Sequence, residues 1–135
     1  MTILEFELEI GSNGPEEYLF KGSPFTGTAV ELDDSGRVIY QCEFNDGVKD
    51  GVERSYYRNG NLESELTYKK NFTHGWDREW HENGALRREA YRQYAEVMSE
   101  KRWEPDGRMT IDFHIDPDSW HYKTYLSYKE KWPDW

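Results

Sequence analysis

The chain has 135 residues, the size of one domain, with 27 acids against 17 bases, a net charge of −10 and a mean hydropathy of −1.06. Such hydropathy suits a disordered chain, but a 16% aromatic content does not, because disordered chains are poor in rings; the core is predicted to be broad, ring-rich and partly solvent-facing. The charge makes nucleic acid and anionic lipid poor partners, no apolar run is long enough to span a membrane, and the single cysteine, Cys42, excludes an internal disulfide and fits a reducing cytoplasm.

The first segment, "LEFELEI" from Leu4, alternates Leu4, Phe6, Leu8 and Ile10 with three glutamates and predicts a strand at a sheet edge. It lacks the basic start of a signal peptide. Residues 1–50 hold 11 acids and 3 bases, while residues 51–135 hold 16 and 14. That asymmetry suits a basic partner; it also serves solubility.

From Gly27 the chain repeats. "GTAVELDDSGRVIYQCEF", "GVERSYYRNGNLESELTY" and "GWDREWHENGALRREAYR" begin at Gly27, Gly51 and Gly75, 24 residues apart, and "MSEKRWEPDGRMTIDFHI" from Met98 is a fourth copy without the leading glycine. Each unit predicts a β-hairpin. The turn segments are "DDSG", "YRNG", "HENG" and "EPDG". Pro105 sits where a type I turn wants a fixed negative φ. Gly36, Gly60, Gly84 and Gly107 then take the left-handed position that follows. The fold class is therefore all-β: antiparallel hairpin repeats over about 27–50, 51–74, 75–97 and 98–115, forming an open, elongated twisted sheet, flanked by cap segments 1–26 and 116–135.

This turn pairs Leu32 with Val38, Tyr56 with Leu62, Trp80 with Leu86 and Trp103 with Met109. Strict alternation from there puts Val52 opposite Leu66, Trp76 opposite Ala90 and Val30 opposite Tyr40 on one apolar strip, with Cys42 and Phe113 on it further along. Arg54, Arg78 and Lys101 interrupt the strip, their stems lying on neighbouring rings. Residues 91–100 suit a strand and a helical turn equally. The last segment, "WHYKTYLSY" from Trp120, alternates as a strand would and predicts a second edge cap.

"SPFTG" (residues 23–27), "YYRNGNLESELTYKK" and "HGWDREWHENGALRREAY" resemble the MORN repeat variant: a leading Gly, an aromatic before an Asn-Gly turn, and a Leu-x-x-Glu-x-x-Tyr strand. The resemblance covers about residues 20–115. It departs in the first copy, with "DDSG" and Tyr40-Gln41-Cys42, and in the missing opening glycine of the fourth. The repeat occurs in YwqK-like bacterial antitoxins and in immunity proteins of polymorphic toxin systems. What the resemblance implies is a non-enzymatic immunity protein that binds a cognate toxin, basic in view of this chain's charge, such as a nuclease, and occludes its active site. A scaffold or adaptor and a membrane-lipid module are its rivals.

The segment "HGWDREWHENGALRRE" gathers polar groups as an active site does, but the repeat places His81 and Glu82 where Tyr57 and Arg58, or Asp33 and Asp34, stand in other copies. They read as solvated turn tips, and no catalytic residue is assigned. His114, Asp116, Asp118 and His121 lack a recognised metal-ligand pattern and suit an Asp-Pro turn; no metal or cofactor is assigned. Cys42 reads as a small buried residue. On the face opposite the strip, strict alternation pairs Glu53 with Glu65, Asp77 with Glu89 and Glu100 with Asp112. Like charges across a strand pair destabilise it, so this carboxylate column is a solvated face, a docking surface for a basic partner or a divalent-cation site. The partner-binding candidates are Asp33, Asp34, Asp46, Glu53, Asp77 and Glu100, with Tyr57, Trp80 and Trp120 as aromatic anchors.

Overall fold

The computed structural model describes residues 1–11 and 17–135. Its strands are β1 (Thr2–Leu4), β2 (Glu9–Ile10), β3 (Tyr18–Phe20), β4 (Ser23–Pro24), β5 (Gly27–Leu32), β6 (Val38–Asn45), β7 (Val48–Tyr56), β8 (Leu62–Lys69), β9 (Phe72–Trp80), β10 (Leu86–Gln93), β11 (Glu96–Trp103) and β12 (Met109–His114), followed by one helix, α1 (Trp120–Lys131). Nine strands form one open sheet in the order β1-β5-β6-β7-β8-β9-β10-β11-β12, and β2-β3-β4 form a small second sheet. The four repeats are the hairpins β5–β6, β7–β8, β9–β10 and β11–β12, so the fold is the all-β open sheet expected from the sequence. Every hairpin contact is antiparallel; among the described residues β1 alone joins in parallel, Ile3 lying opposite Ala29.

The turn chemistry follows the sequence closely. Gly36, Gly60, Gly84 and Gly107 have φ of 81°, 89°, 88° and 88°, where a side chain is strained. In the first hairpin Gly36 N–H donates to the Asp33 carbonyl and Asp33 N–H to that of Arg37, both at 2.9 Å, and the same two bonds recur in the other three. This is a type I turn with a glycine bulge. Asn59, Asn83 and Asp106 each accept, at 2.9 Å, the backbone N–H two residues on.

Beyond the turn the strict alternation fails. Leu32–Val38, Tyr56–Leu62, Trp80–Leu86 and Trp103–Met109 pair as expected, but the next partners are Glu31–Tyr40, Ser55–Ser64, Glu79–Arg88 and Arg102–Ile111. One extra residue, Ile39, Glu63, Arg87 or Thr110, stands on each return strand. A bulge of one residue exchanges which side chains share a face. Val52 therefore pairs with Thr67 rather than Leu66, Trp76 with Tyr91 rather than Ala90, and Val30 with Gln41 rather than Tyr40. The single apolar strip divides between two faces. One face carries the row Ala29–Cys42–Glu53–Leu66–Asp77–Ala90–Glu100–Phe113, and the other Val30–Gln41–Arg54–Glu65–Arg78–Glu89–Lys101–Asp112.

Successive hairpins are joined at their other ends by two-residue turns whose central residues both have positive φ: Asp46-Gly47, Lys70-Asn71 and Tyr94-Ala95. These are mirror-image turns, which match strand twist. Residues 91–100 are thus strand, turn and strand. Among the leading glycines, Gly51 has a separate reason. A Cβ on Gly51 would collide with the Glu43 carboxylate, which accepts the Val52 N–H at 2.7 Å.

The terminal segments differ from the alternation. Residues 4–10 divide into the end of β1, a 3-10 turn over Glu5–Glu7, and β2; the Glu7 carboxylate accepts the Leu4 N–H at 2.9 Å, which favours the turn. The C-terminal segment is α1, not a strand. Ser119 caps it by accepting the Tyr122 N–H at 3.2 Å, and the less exposed rings Tyr122, Tyr125, Tyr128 and Trp132 recur at helical spacing while Trp120 and Leu126 face solvent. Consequently β12 remains an open edge.

Two cores pack at separate places on the long sheet, one over β1, β5 and β6 and one beside the β8–β9 and β10–β11 turns. At one, Ile3, Phe25, Ala29, Cys42 and Phe44 pack with Leu8, Tyr18, Phe20 and Tyr40. At the other, Tyr94 stacks on Trp135 at 5.1 Å and on Tyr128 at 6.1 Å, and Tyr125, Phe72 and Trp132 complete the cluster. Tyr94 also donates its hydroxyl to the Trp132 carbonyl at 2.7 Å, and its N–H to His74 Nδ1 at 3.1 Å.

Candidate interaction surface

The register turns the expected carboxylate column into something else. Arg54, not Glu53, faces Glu65, and Arg78, not Asp77, faces Glu89. These are ion pairs of 2.8 and 2.7 Å, and Lys101 faces Asp112 in the same row. What strict alternation makes three like-charge clashes is a ladder of alternating sign, each exposed pair stabilising by about 0.5 kcal/mol. Trp76 extends the packing on this face, its ring edge-on to Tyr91 at 5.1 Å and under the Arg78 guanidinium at 4.6 Å.

Glu53, Asp77 and Glu100 do share one row, on the opposite face, but their charge is met within the chain. Glu53 accepts from Lys49 Nζ at 2.6 Å and from the Tyr40 hydroxyl at 2.7 Å. Burial alone would lower the Lys49 pKa, yet the Glu53 hydrogen bond and charge raise it. Burial, then the Glu53 bond, pushes the Tyr40 hydroxyl up as well. Asp77 is 7% exposed and accepts from Arg88 at 3.0 Å and Arg92 at 2.7 Å. Glu100 bonds Arg88 and Arg102; burial works against its charge, but the two guanidiniums hold its carboxyl below the usual range. A hollow of about 840 Å³ opens beside this network toward the turn tips, lined by Arg87, Arg88, Arg92, Arg102, Glu79 and Ile111 among others. Arg88, Arg92 and Arg102 are already engaged by carboxylates there.

The remaining candidates lie apart. Asp33 closes its own turn: bonds from Ser35, then from the Arg37 backbone, lower its carboxyl to about 2. Asp34 is an exposed tip, and Asp46 is exposed at the opposite edge, where its N–H donates to Thr26 Oγ1 at 2.8 Å. Trp80 is half-buried beside the tips, and Trp120 is exposed at the start of α1 over the His121 ring. Tyr57 and His81 are not solvated tips. The Tyr57 hydroxyl donates to the Trp80 carbonyl at 2.6 Å, and His81 Nε2–H to the Trp103 carbonyl at 2.8 Å. The second and third hairpins thus each hydrogen-bond the next from an equivalent position. The signal was in the sequence: Tyr57 and His81 stand 24 residues apart, and both carry a donor.

His114 and His121 diverge, to Asp112 at 3.4 Å and to Glu96 at 2.8 Å. Among the described residues no group of three or more His, Cys, Asp or Glu is placed to hold a metal ion. Cys42 is buried, and burial pushes its thiol up to about 12. No helix among the described residues is long and apolar enough to cross a membrane.

Residues 49–70, which cover β7 from its second residue, the turn and β8, match the family model described as MORN repeat variant. No curated protein and no solved structure matches the chain. The match supports a repeat-type module that binds proteins or lipids.

Proposed function

We propose that this chain is an immunity protein: a non-catalytic repeat module that binds one cognate toxin, itself basic, and covers its active site. The observation that carries the reading is where the charge resides. Arg37, Lys49, Arg54, Arg78, Arg88, Arg92 and Arg102 are all held in ion pairs with carboxylates of the same chain. The surplus of ten negative charges is then a property of the surface, with Asp34, Glu82, Glu104 and Asp106 exposed along the turn tips and Asp112 on the open edge. Such a rim steers a basic partner and accelerates its association. A nuclease groove built for phosphates is the kind of surface it would occupy. The engaged carboxylates Glu53, Asp77 and Glu100 leave the list of expected contacts; Asp34, Asp46 and Trp120 stay on it.

The test is co-expression with the toxin-like protein encoded beside it. Restored growth, together with a complex whose association rate falls steeply as salt rises, supports the reading. Growth arrest despite expression of the folded chain refutes it. Binding to anionic vesicles at low salt would favour the lipid module instead.

A further inference from the structure

We propose that the β12 edge takes an extended segment of the partner as a tenth strand of the long sheet, with Lys or Arg opposite Asp112 and apolar residues on either side. The inference rests on the protein-binding reading above and assigns it a surface. Ile115 N–H donates to the Met98 carbonyl at 2.9 Å, so by alternation Asp112 and His114 turn their backbone N–H and C=O away from β11. Those groups form a template for strand pairing, and among the described residues neither α1 nor another strand pairs with them.

Two features state the chemistry of the occupant. The charge ladder Arg54–Glu65–Arg78–Glu89–Lys101–Asp112 alternates in sign at every strand and ends on an acid at the open edge. The next residue in that row is therefore basic. On the other face of β12, Ile111 and Phe113 are 38% and 42% exposed. Phe113 is also one wall of an apolar hollow of about 460 Å³ with Val97 and Ile115, where the His121–Glu96 pair also stands. Alternate residues of the incoming strand cover Ile111 and Phe113, and a side chain near Phe113 fills the hollow. A second copy of this chain is the wrong occupant. Each copy has a net charge of −10, and a twofold pairing centred on Asp112 sets two acids opposite each other.

The probe is a synthetic peptide of about nine residues, valine alternating with threonine and a central lysine at a threonine position, with a central glutamate in the control. Amide shifts of the labelled chain are followed by NMR. Expected is saturable binding that moves the Asp112 and His114 amides, about tenfold tighter for the lysine peptide. Asp112→Lys, at an exposed position, reverses the preference. The proposal is overturned if neither peptide binds at about 1 mM, if the shifts lie on another strand, if Asp112→Lys leaves the preference unchanged, or if β12 is already covered in a dimer. Toxin protection without peptide binding refutes the edge alone, while peptide binding without protection refutes only the immunity reading.

Discussion

Replacing Asp77 by asparagine tests the register that organises both faces. The Asp77 side chain is 10% exposed and receives Arg88 at 3.0 Å and Arg92 at 2.7 Å. Orphaning a buried ion costs about 3–5 kcal/mol. Arg88 keeps Glu79 at 3.5 Å and Glu100, and asparagine retains one oxygen acceptor, so the cost falls to about 2–3 kcal/mol. The control is Glu89→Gln, whose pair with Arg78 has side chains 28% and 31% exposed and stabilises by less than about 1 kcal/mol. Urea unfolding of both variants, with unchanged slope, reads the difference. Without the bulges Asp77 would face Glu89, and neutralising either would stabilise the hairpin by some tenths of a kcal/mol up to about 1. The sign therefore decides: an Asp77→Asn protein as stable as the parent, or more so, refutes the register.

Gly84→Val places a branched residue at φ 88° with no neighbour within 4 Å, so its cost is backbone strain of about 2 kcal/mol. His81→Ala loses one bond to the next hairpin, about 1 kcal/mol; equal losses in thermal melts would contradict the turn assignment. His74 must be neutral at Nδ1 to accept the Tyr94 N–H, and burial, then Lys69, lowers its pKa below 6.5. The unfolded chain then binds the proton more readily, so stability is lost as pH falls from 6.5 through the lowered value. His74→Gln should remove that part of the pH dependence of the melting temperature. Cys42, 1% exposed with its thiol pushed up to about 12, should resist alkylation at pH 8 and react at once in urea, as mass spectrometry will show.

The parts of the fold written in single residues were legible. Gly36, Gly60, Gly84 and Gly107 at constant spacing, with Pro105 before the last, state the turn type and through it the first pair of each hairpin. The bulge has no such marker. Ile39, Glu63, Arg87 and Thr110 are an apolar residue, an acid, a base and a hydroxyl, and their shared role is visible only in the pairing. The sequence did contain a symptom: three successive like-charge pairs that no hairpin should keep. Shifted by one residue, the same strands read Arg54–Glu65, Arg78–Glu89 and Lys101–Asp112. The C-terminal rings misled for a different reason. Trp120, Tyr122, Leu126 and Tyr128 fit a period of two, while Tyr122, Tyr125, Tyr128 and Trp132 fit a helix. The Ser119 cap and the Tyr94 cluster, distant in sequence, decide between them. For the candidate site, acid content was legible, but which acids have internal partners depended on the bulges.

The bulge recurs at one place in each repeat, which makes the repeat a unit of length. Inserting or deleting one whole unit leaves every remaining pairing in phase, whereas losing a single residue from a return strand would exchange the two faces of that strand. Each unit contributes two strands, and neighbouring strands lie about 4.8 Å apart. The protein can therefore lengthen or shorten only in steps of about 9.6 Å, and a step copied from either central hairpin carries one more arginine–glutamate rung. A lineage matching this sheet to a longer or shorter groove would do so by counting hairpins, leaving the chemistry of each rung intact.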